Sequence, residues 1–135
     1  YGDEIGMQGY GDPFCRQTYP WDNVDEVDKD GRIRKRYKNM IKLRNSSKAF
    51  SIGDFECVHK VGHVYGFVRC YHDEKYLIVA NLGTREERAR VDVARYGMRK
   101  LKCQTSDDNN LLESSDGIHF IDMPRLWIKV YKVEK

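Results

Sequence analysis

The chain has 135 residues, 40% of them hydrophobic and 33% charged, with a formal net charge of +3. A chain of that length hides about 65–70% of the surface its unfolded form exposes, and its supply of aromatic and β-branched residues excludes disorder along the whole length. No apolar run reaches the roughly 18–20 residues of a bilayer-crossing helix, so no membrane partner is expected, and the opening Tyr1-Gly2-Asp3-Glu4-Ile5-Gly6-Met7 has neither the basic nor the apolar stretch of a secretory signal.

Residues 1–30 carry eight acidic and two basic residues, whereas residues 31–48 carry eight basic residues and no acidic one. Within the first stretch, Gly2, Gly6, Gly9, Gly11, Pro13 and Pro20 interrupt any helical or strand period, which predicts a loop. Tyr1–Ile5 reads as the end of a strand. The start on Tyr-Gly-Asp-Glu, with no initiator Met, is expected of a segment cut from something longer. Residues 30–44 predict a helix. Asp30 is the expected N-cap, because its carboxylate can accept a bond from the first unpaired backbone amides. Ile33, Tyr37, Met40, Ile41 and Arg44 recur at helical spacing and share a face, and the basic residues near the C-terminus suit the helix dipole. Asn45-Ser46-Ser47 ends the element.

From Ile52 the period changes to two. Val64–Tyr71 alternates, Asp73-Glu74-Lys75 reads as a polar turn, and 76–82 reads as a second strand, together a hairpin. Further strands are expected at 53–59, 88–93, 101–104, 118–123 and 126–133, and a loop at Ser106–Asn110. Strands at about ten-residue spacing with polar turns predict an antiparallel β-sandwich. No clear exposed aromatic platform is evident along them.

Cys15, Cys57, Cys70 and Cys103 lie far apart with no C-x-x-C pair, which gives no zinc-ribbon or redox motif and favours unbridged thiols in a reducing compartment. His59, His63, His72 and His119 have no helical ligand spacing and read as surface or strand residues. Glu26-x-Asp28-x-Asp30-Gly31-x-Ile33 approaches a calcium loop, but it begins on Glu and has Tyr37 where a bidentate Glu belongs, so it reads as an acidic turn before a helix. The run Arg32-Ile33-Arg34-Lys35-Arg36-Tyr37-Lys38 can meet phosphate backbones by counterion release. No base-reading motif accompanies it, and it reads as a solvated helix face beside an acidic segment able to neutralise it.

The chemistry-bearing residues of the first loop are a carboxylate, a guanidinium and aromatic rings: Asp12, Arg16 and Trp21. Such groups recognise sugars, charged groups taking hydroxyls and ring faces taking the apolar side of a pyranose. The plain alternative is an acidic surface loop in which Asp12 and Arg16 bind each other and Trp21 packs the loop. The order of residues goes further. Tyr1-Gly2-Asp3-Glu4-Ile5-Gly6-Met7, then Gly9-Tyr10-Gly11-Asp12-Pro13-Phe14-Cys15-Arg16 and Pro20-Trp21-Asp22, resembles the stretch after the last barrel strand in α-amylase superfamily enzymes, glycoside hydrolase family 13. The likeness is to the neopullulanase, cyclomaltodextrinase and maltogenic amylase group. It continues in Tyr37–Arg44, similar to the group's last barrel helix, and in Gly53-Asp54-Phe55, Val64–Arg69 and Leu77–Asn81, similar to the opening strands of its C-terminal sandwich. Gln17 and Tyr19 depart from the pattern, standing where a second arginine and a methionine are common.

The resemblance implies a mainly β chain: a C-terminal antiparallel β-sandwich at 51–135, preceded at 1–50 by a loop and one helix left over from a TIM (β/α)8 barrel. It implies a parent enzyme that acts on α-glucosidic bonds of maltodextrin, cyclodextrin or pullulan-type glucans in the cytoplasm, with Asp12, Arg16 and Trp21 as substrate-binding residues. It brings no cofactor and no metal. The catalytic carboxylates of such enzymes lie on earlier strands, so none is assigned here. Asp3 and Glu4, adjacent on an extended strand, would point to opposite faces and cannot flank one bond as a pair. The chain alone is expected to be inactive. Two alternatives stay open: a stand-alone carbohydrate-binding sandwich, and a nucleic-acid-binding module using the basic helix.

Overall fold

The computed structural model describes residues 1–105 and 110–134, so the loop expected at Ser106–Asn110 lies outside the described residues except for Asn110. The chain divides into two compact units, Tyr1–Ser46 and Ser47–Lys135.

The first unit is loop and helix. Its opening residues form a 3-10 turn at Asp3–Ile5 instead of the expected strand end. The reason lies in the flanking glycines. Gly2 and Gly6 both take positive φ, 84° and 71°, and the chain folds back so that the Met7 amide donates to the Gly2 carbonyl at 3.0 Å. A Cβ on Gly2 would lie 2.8 Å from the Met7 Cβ, and one on Gly6 would lie 2.6 Å from the Ile33 Cδ1. Ile5 is fully buried, and the turn packs against the long helix. A second 3-10 turn, Phe14–Arg16, and a short helix α1, Val24–Val27, follow.

Helix α2 spans Arg32–Asn45, close to expectation, but Asp30 is not its cap. Gly31 occupies the N-cap position with φ 61°, and that left-handed residue swings the preceding chain so that Asp28 reaches over the helix end. The Asp28 carboxylate accepts from the Ile33 amide at 3.3 Å and the Arg34 amide at 3.0 Å. Two otherwise unpaired amides are satisfied by one nearly buried acid, which a negative group at the positive end of the helix dipole favours further. Asp30 pairs with Arg32 at 2.6 Å and Asp25 with Arg34 at 2.8 Å. The stripe of Ile33, Tyr37 and Ile41 is left exposed.

The second unit begins with Ser47 and a one-turn helix α3, Ala49–Ile52; the Ser47 hydroxyl accepts from the Ala49 amide at 3.1 Å and donates to Glu74 at 2.7 Å. Among the described residues eight strands follow: β1 Asp54–Val61, β2 Val64–Tyr71, β3 Glu74–Asn81, β4 Glu87–Asp92, β5 Lys100–Cys103, β6 Leu111–Glu113, β7 Ile118–Met123 and β8 Trp127–Val133. They form a six-stranded sheet in the order β1-β2-β3-β8-β5-β6 and a two-stranded sheet of β4 and β7, with all pairings antiparallel. The turn between β2 and β3 is shorter than expected. Glu74 and Lys75 belong to β3, opposite Tyr71 and Cys70, and His72 takes φ 51° to close the hairpin.

The core lies between the sheets. Val64, Val68, Leu77, Val79, Leu101 and Tyr131 from the large sheet meet Ala89, Val91, Ile121 and Met123 from the small one. Strands β4 and β7 alternate buried and exposed, as period two demands. Strand β3 is different: Tyr76, Leu77, Ile78 and Val79 are all buried, because both of its faces are covered. The Phe50 ring of α3 lies 4.4 Å from the Tyr76 ring on the second face. Arg69 holds α3 there, its Nε donating to the Ala49 carbonyl and its Nη2 to the Gly53 carbonyl, both at 3.0 Å. At the far end of β3, Asn81 is almost fully buried. Its amide nitrogen donates to the Arg85 and Met123 carbonyls at 2.8 and 3.1 Å, and its oxygen accepts from the Gly83 amide at 2.9 Å. His119, also buried, donates from Nε2 to the Met98 carbonyl at 2.7 Å.

Strand β1 carries a bulge between Cys57 and His59. The extra residue brings the His59 ring to the Arg90 carbonyl of β4, 3.0 Å from Nδ1. Immediately before the bulge, the Tyr96 hydroxyl and the Arg95 guanidinium both bind Glu56 and hold its carboxyl below the ordinary range.

Candidate functional site

The loop of the first unit gathers the expected sugar-binding groups on its surface. The Phe14 amide donates to the Gly11 carbonyl at 2.9 Å and the Arg16 amide to the Pro13 carbonyl at 3.0 Å, which curls the chain by one turn and sets Arg16 over Asp12. The guanidinium then grips the carboxylate with two nitrogens: Nε is 2.7 Å from Oδ1 and Nη2 is 3.2 Å from Oδ2. The Cys15 thiol lies 3.8 Å from the same Oδ1. A paired fork of this kind fixes both groups in one plane. The two side chains are 76% and 63% exposed, so donors and lone pairs remain available to a ligand from solvent.

Trp21 is 80% exposed and does not pack into the loop. Its ring meets that of Tyr19, with centroids 4.5 Å apart at 48°. Tyr10 and Phe14 are also exposed. The spacing of Asp12 and Arg16 thus brings that pair together as the sequence suggests, while Trp21 forms a separate aromatic surface with Tyr19. Asp3 and Glu4 sit on the 3-10 turn, not on an extended strand.

The acidic turn before α2 is accounted for by capping. Asp28, the best-placed oxygen donor of the calcium-like spacing, already binds two amides, and among the described residues no group of three or more metal-ligating side chains gathers. The basic helix is in part neutralised at its start by Asp25 and Asp30.

Sequence reasoning missed aromatic surface on the strands. Phe55 and Phe67 lie on one face of β1–β2 with ring centroids 5.1 Å apart, and Tyr65 follows at 5.7 Å from Phe67. Phe55 and, on the small sheet, Phe120 are each 55% exposed. The alternation of Val64–Tyr71 puts Tyr65 and Phe67 on one side, but no local pattern brings Phe55 of the neighbouring strand beside them. The signal was a bulky aromatic where the outward face calls for a polar residue.

No protein-family model matches the chain. Cyclomaltodextrinase of Thermoanaerobacter pseudethanolicus is 32% identical over 87 residues, covering 64% of this chain and 15% of the relative. A solved structure of a cyclomaltodextrinase superposes on 98% of the chain and 22% of that protein, with a TM-score of 0.73 and 26% identity. This chain is homologous to a part of cyclomaltodextrinase, amylopullulanase and neopullulanase. It therefore spans a small fraction of the length of these α-amylase superfamily relatives. The mainly antiparallel fold is that of the superfamily's C-terminal domain. AmyP, solved as a maltose complex, shares the fold over all of this chain and 31% of its own, with a TM-score of 0.76 and 14% identity.

Proposed function

We propose that this chain is the C-terminal portion of a glycoside hydrolase acting on α-glucosidic bonds of maltodextrin, cyclodextrin or pullulan-type glucans. The observation that carries the reading is the exposed, two-pronged Asp12–Arg16 pair in a loop with exposed Tyr10, Phe14 and Trp21. The kinship with three α-glucan-processing enzymes supports it. In the parent enzyme Asp12 accepts from, and Arg16 donates to, the hydroxyls of one glucose unit, and Trp21 offers a ring face to a neighbouring sugar. The carboxylates that break the bond are supplied from outside these residues, and the 135-residue chain has no hydrolytic activity alone. The cytoplasmic setting belongs to the same proposal and is supported by the wide spacing of the four cysteines along the sequence, with no C-x-x-C pair.

The test has two arms. The isolated chain is incubated with maltodextrin, β-cyclodextrin and pullulan, and reducing ends are measured; none should appear. The longer protein encoded around this segment is then assayed as wild type, Asp12→Asn and Arg16→Ala. Removing one charged hydrogen bond worth about 1.5–3 kcal/mol lowers kcat/KM roughly ten- to hundredfold. Hydrolysis by the isolated chain, or a longer protein with no glycosidase activity, overturns the proposal.

A further inference from the structure

Trp21 stands out into solvent from the loop of the first unit, yet its backbone is fixed on both sides. Its own amide donates to the Tyr19 carbonyl at 3.0 Å, across Pro20, and the Asn23 amide donates to the Pro20 carbonyl at 3.0 Å. Proline holds φ at about −65°, so Tyr19-Pro20-Trp21 makes a tight bend that brings the two flanking rings together. Their centroids are 4.5 Å apart and their planes are inclined at 48°. Tyr19 is the inner ring of the pair, half-buried where Trp21 is exposed. It also lies near enough to Arg34 of α2 to add to the raised pKa of that guanidinium, whose largest cause is the bond to Asp25. Tyr19 thus stands between the exposed indole and the start of the long helix.

An exposed indole with no neighbour turns between rotamers, and a ligand that needs one of its faces must stop that motion at an entropic cost. A ring packed against it removes rotamers before the ligand arrives. Asp12 and Arg16 need no such help, because each holds the other in a fixed plane. The indole is the member of this group whose orientation depends on a third side chain. We infer that Tyr19 is a positioning residue for Trp21: its ring holds the indole in the orientation in which the solvent face can meet a sugar. The sugar rests on the function proposed above; the holding of one ring by the other does not. The contact is made by the ring and not by the hydroxyl, so phenylalanine should serve and alanine should not. The bond-breaking carboxylates lie outside these residues, so a Trp21 left to turn weakens binding without touching the chemistry. KM rises and kcat stays, the pattern of lost uniform binding.

Two measurements test it. The full 135-residue chain is labelled with fluorotryptophan, and the two fluorine resonances, of Trp21 and Trp127, are assigned by the loss of one in Trp21→Phe. The Tyr19 ring should displace the Trp21 resonance from its position in the urea-unfolded chain. The displacement should persist in Tyr19→Phe and vanish in Tyr19→Ala, with Trp127 unmoved in both. A wild-type Trp21 resonance at the unfolded position, or one that Tyr19→Ala leaves in place, overturns the inference. In the longer protein encoded around this segment, Tyr19→Ala should raise KM for maltodextrin roughly two- to tenfold, the worth of an aromatic pair. The kcat should be unchanged, and Tyr19→Phe should keep the wild-type KM. In a Trp21→Ala background, Tyr19→Ala should add nothing. A further rise there means that Tyr19 touches sugar by itself and overturns the positioning role. An active longer protein whose KM ignores Tyr19→Ala overturns it too, and leaves the parent-enzyme reading intact. A longer protein with no glycosidase activity is the other failure: it removes that reading and the sugar with it, while the fluorine spectrum still decides whether Tyr19 holds Trp21.

Discussion

Replacing Asn81 by Ala should destabilise the sandwich more than any change of similar size at its surface. The carboxamide makes three bonds, two to carbonyls and one from an amide, and only one orientation of the amide satisfies all three. Alanine removes every one of them. Each net bond is worth about 1 kcal/mol, and a buried partner left without a replacement costs about 1–3 kcal/mol. The Met123 carbonyl and the Gly83 amide are in buried surroundings, whereas the Arg85 carbonyl is partly open to water. A total of about 3–4 kcal/mol follows. For a cooperative unit the size of Ser47–Lys135, each kcal/mol lowers Tm by about 4–8 °C, so the drop should be some tens of degrees, read by circular dichroism or calorimetry. Asn81→Asp sharpens the test. It keeps the acceptor for Gly83 but turns an ionised carboxylate toward two carbonyls, which raises its pKa in the folded state. Stability of that variant is then fullest below the unfolded carboxyl value of about 4 and falls as pH rises. An Asn81→Ala variant that melts within a few degrees of the wild type, or an Asn81→Asp variant indifferent to acid, refutes the reasoning.

Three further outcomes are expected. Asp28→Ala should cost about 0.5–2 kcal/mol through loss of the α2 cap, seen as faster amide exchange at Ile33 and Arg34, with Asp28→Asn retaining part of the protection. Gly53→Ala should be damaging although its φ suits any residue, because the new Cβ would sit 2.5 Å from the Ala49 carbonyl oxygen and 2.6 Å from that of Cys70; a loss of about 1–3 kcal/mol or more in urea unfolding is expected. Tyr131 has its phenol pKa raised by burial first and by the Cys103 and Asp122 charges next. Its contribution is therefore complete below the unfolded value near pH 10 and is lost above it at about 1.4 kcal/mol per pH unit, an alkaline slope that Tyr131→Phe should reduce.

The sandwich was legible where strands were long and one-sided. Val64–Tyr71 and Ile118–Met123 match their expected limits, since alternation runs through each without a break. The three residues of β6 are too few to display a period. The helical turn at Asp3–Ile5 was hidden because an extended strand end and a turn bounded by glycines look alike until φ is known. Asp28 lost to Asp30 as the expected cap because spacing counts residues, and a left-handed Gly31 changes how far three residues reach. In the loop, the four-residue interval from Asp12 to Arg16 was enough to foresee their meeting. The aromatic row was not foreseen, because Phe55 and Phe67 become neighbours through the pairing of Phe55 with Arg69 and of Cys57 with Phe67, a register that no local pattern contains.

The bulge in β1 has a meaning for life at high concentration. A sheet with free borders invites the next molecule to add a strand, and long flat borders are where ordered aggregates begin. Here one border, β1, is kinked at Cys57/His59 and interspersed with Asp54, Glu56 and Lys60, and the His59 ring ties it back toward β4. The opposite border, β6, offers three residues. One margin is bent and charged and the other is short, so among the described residues the large sheet presents no long straight backbone ladder for a neighbouring copy to extend.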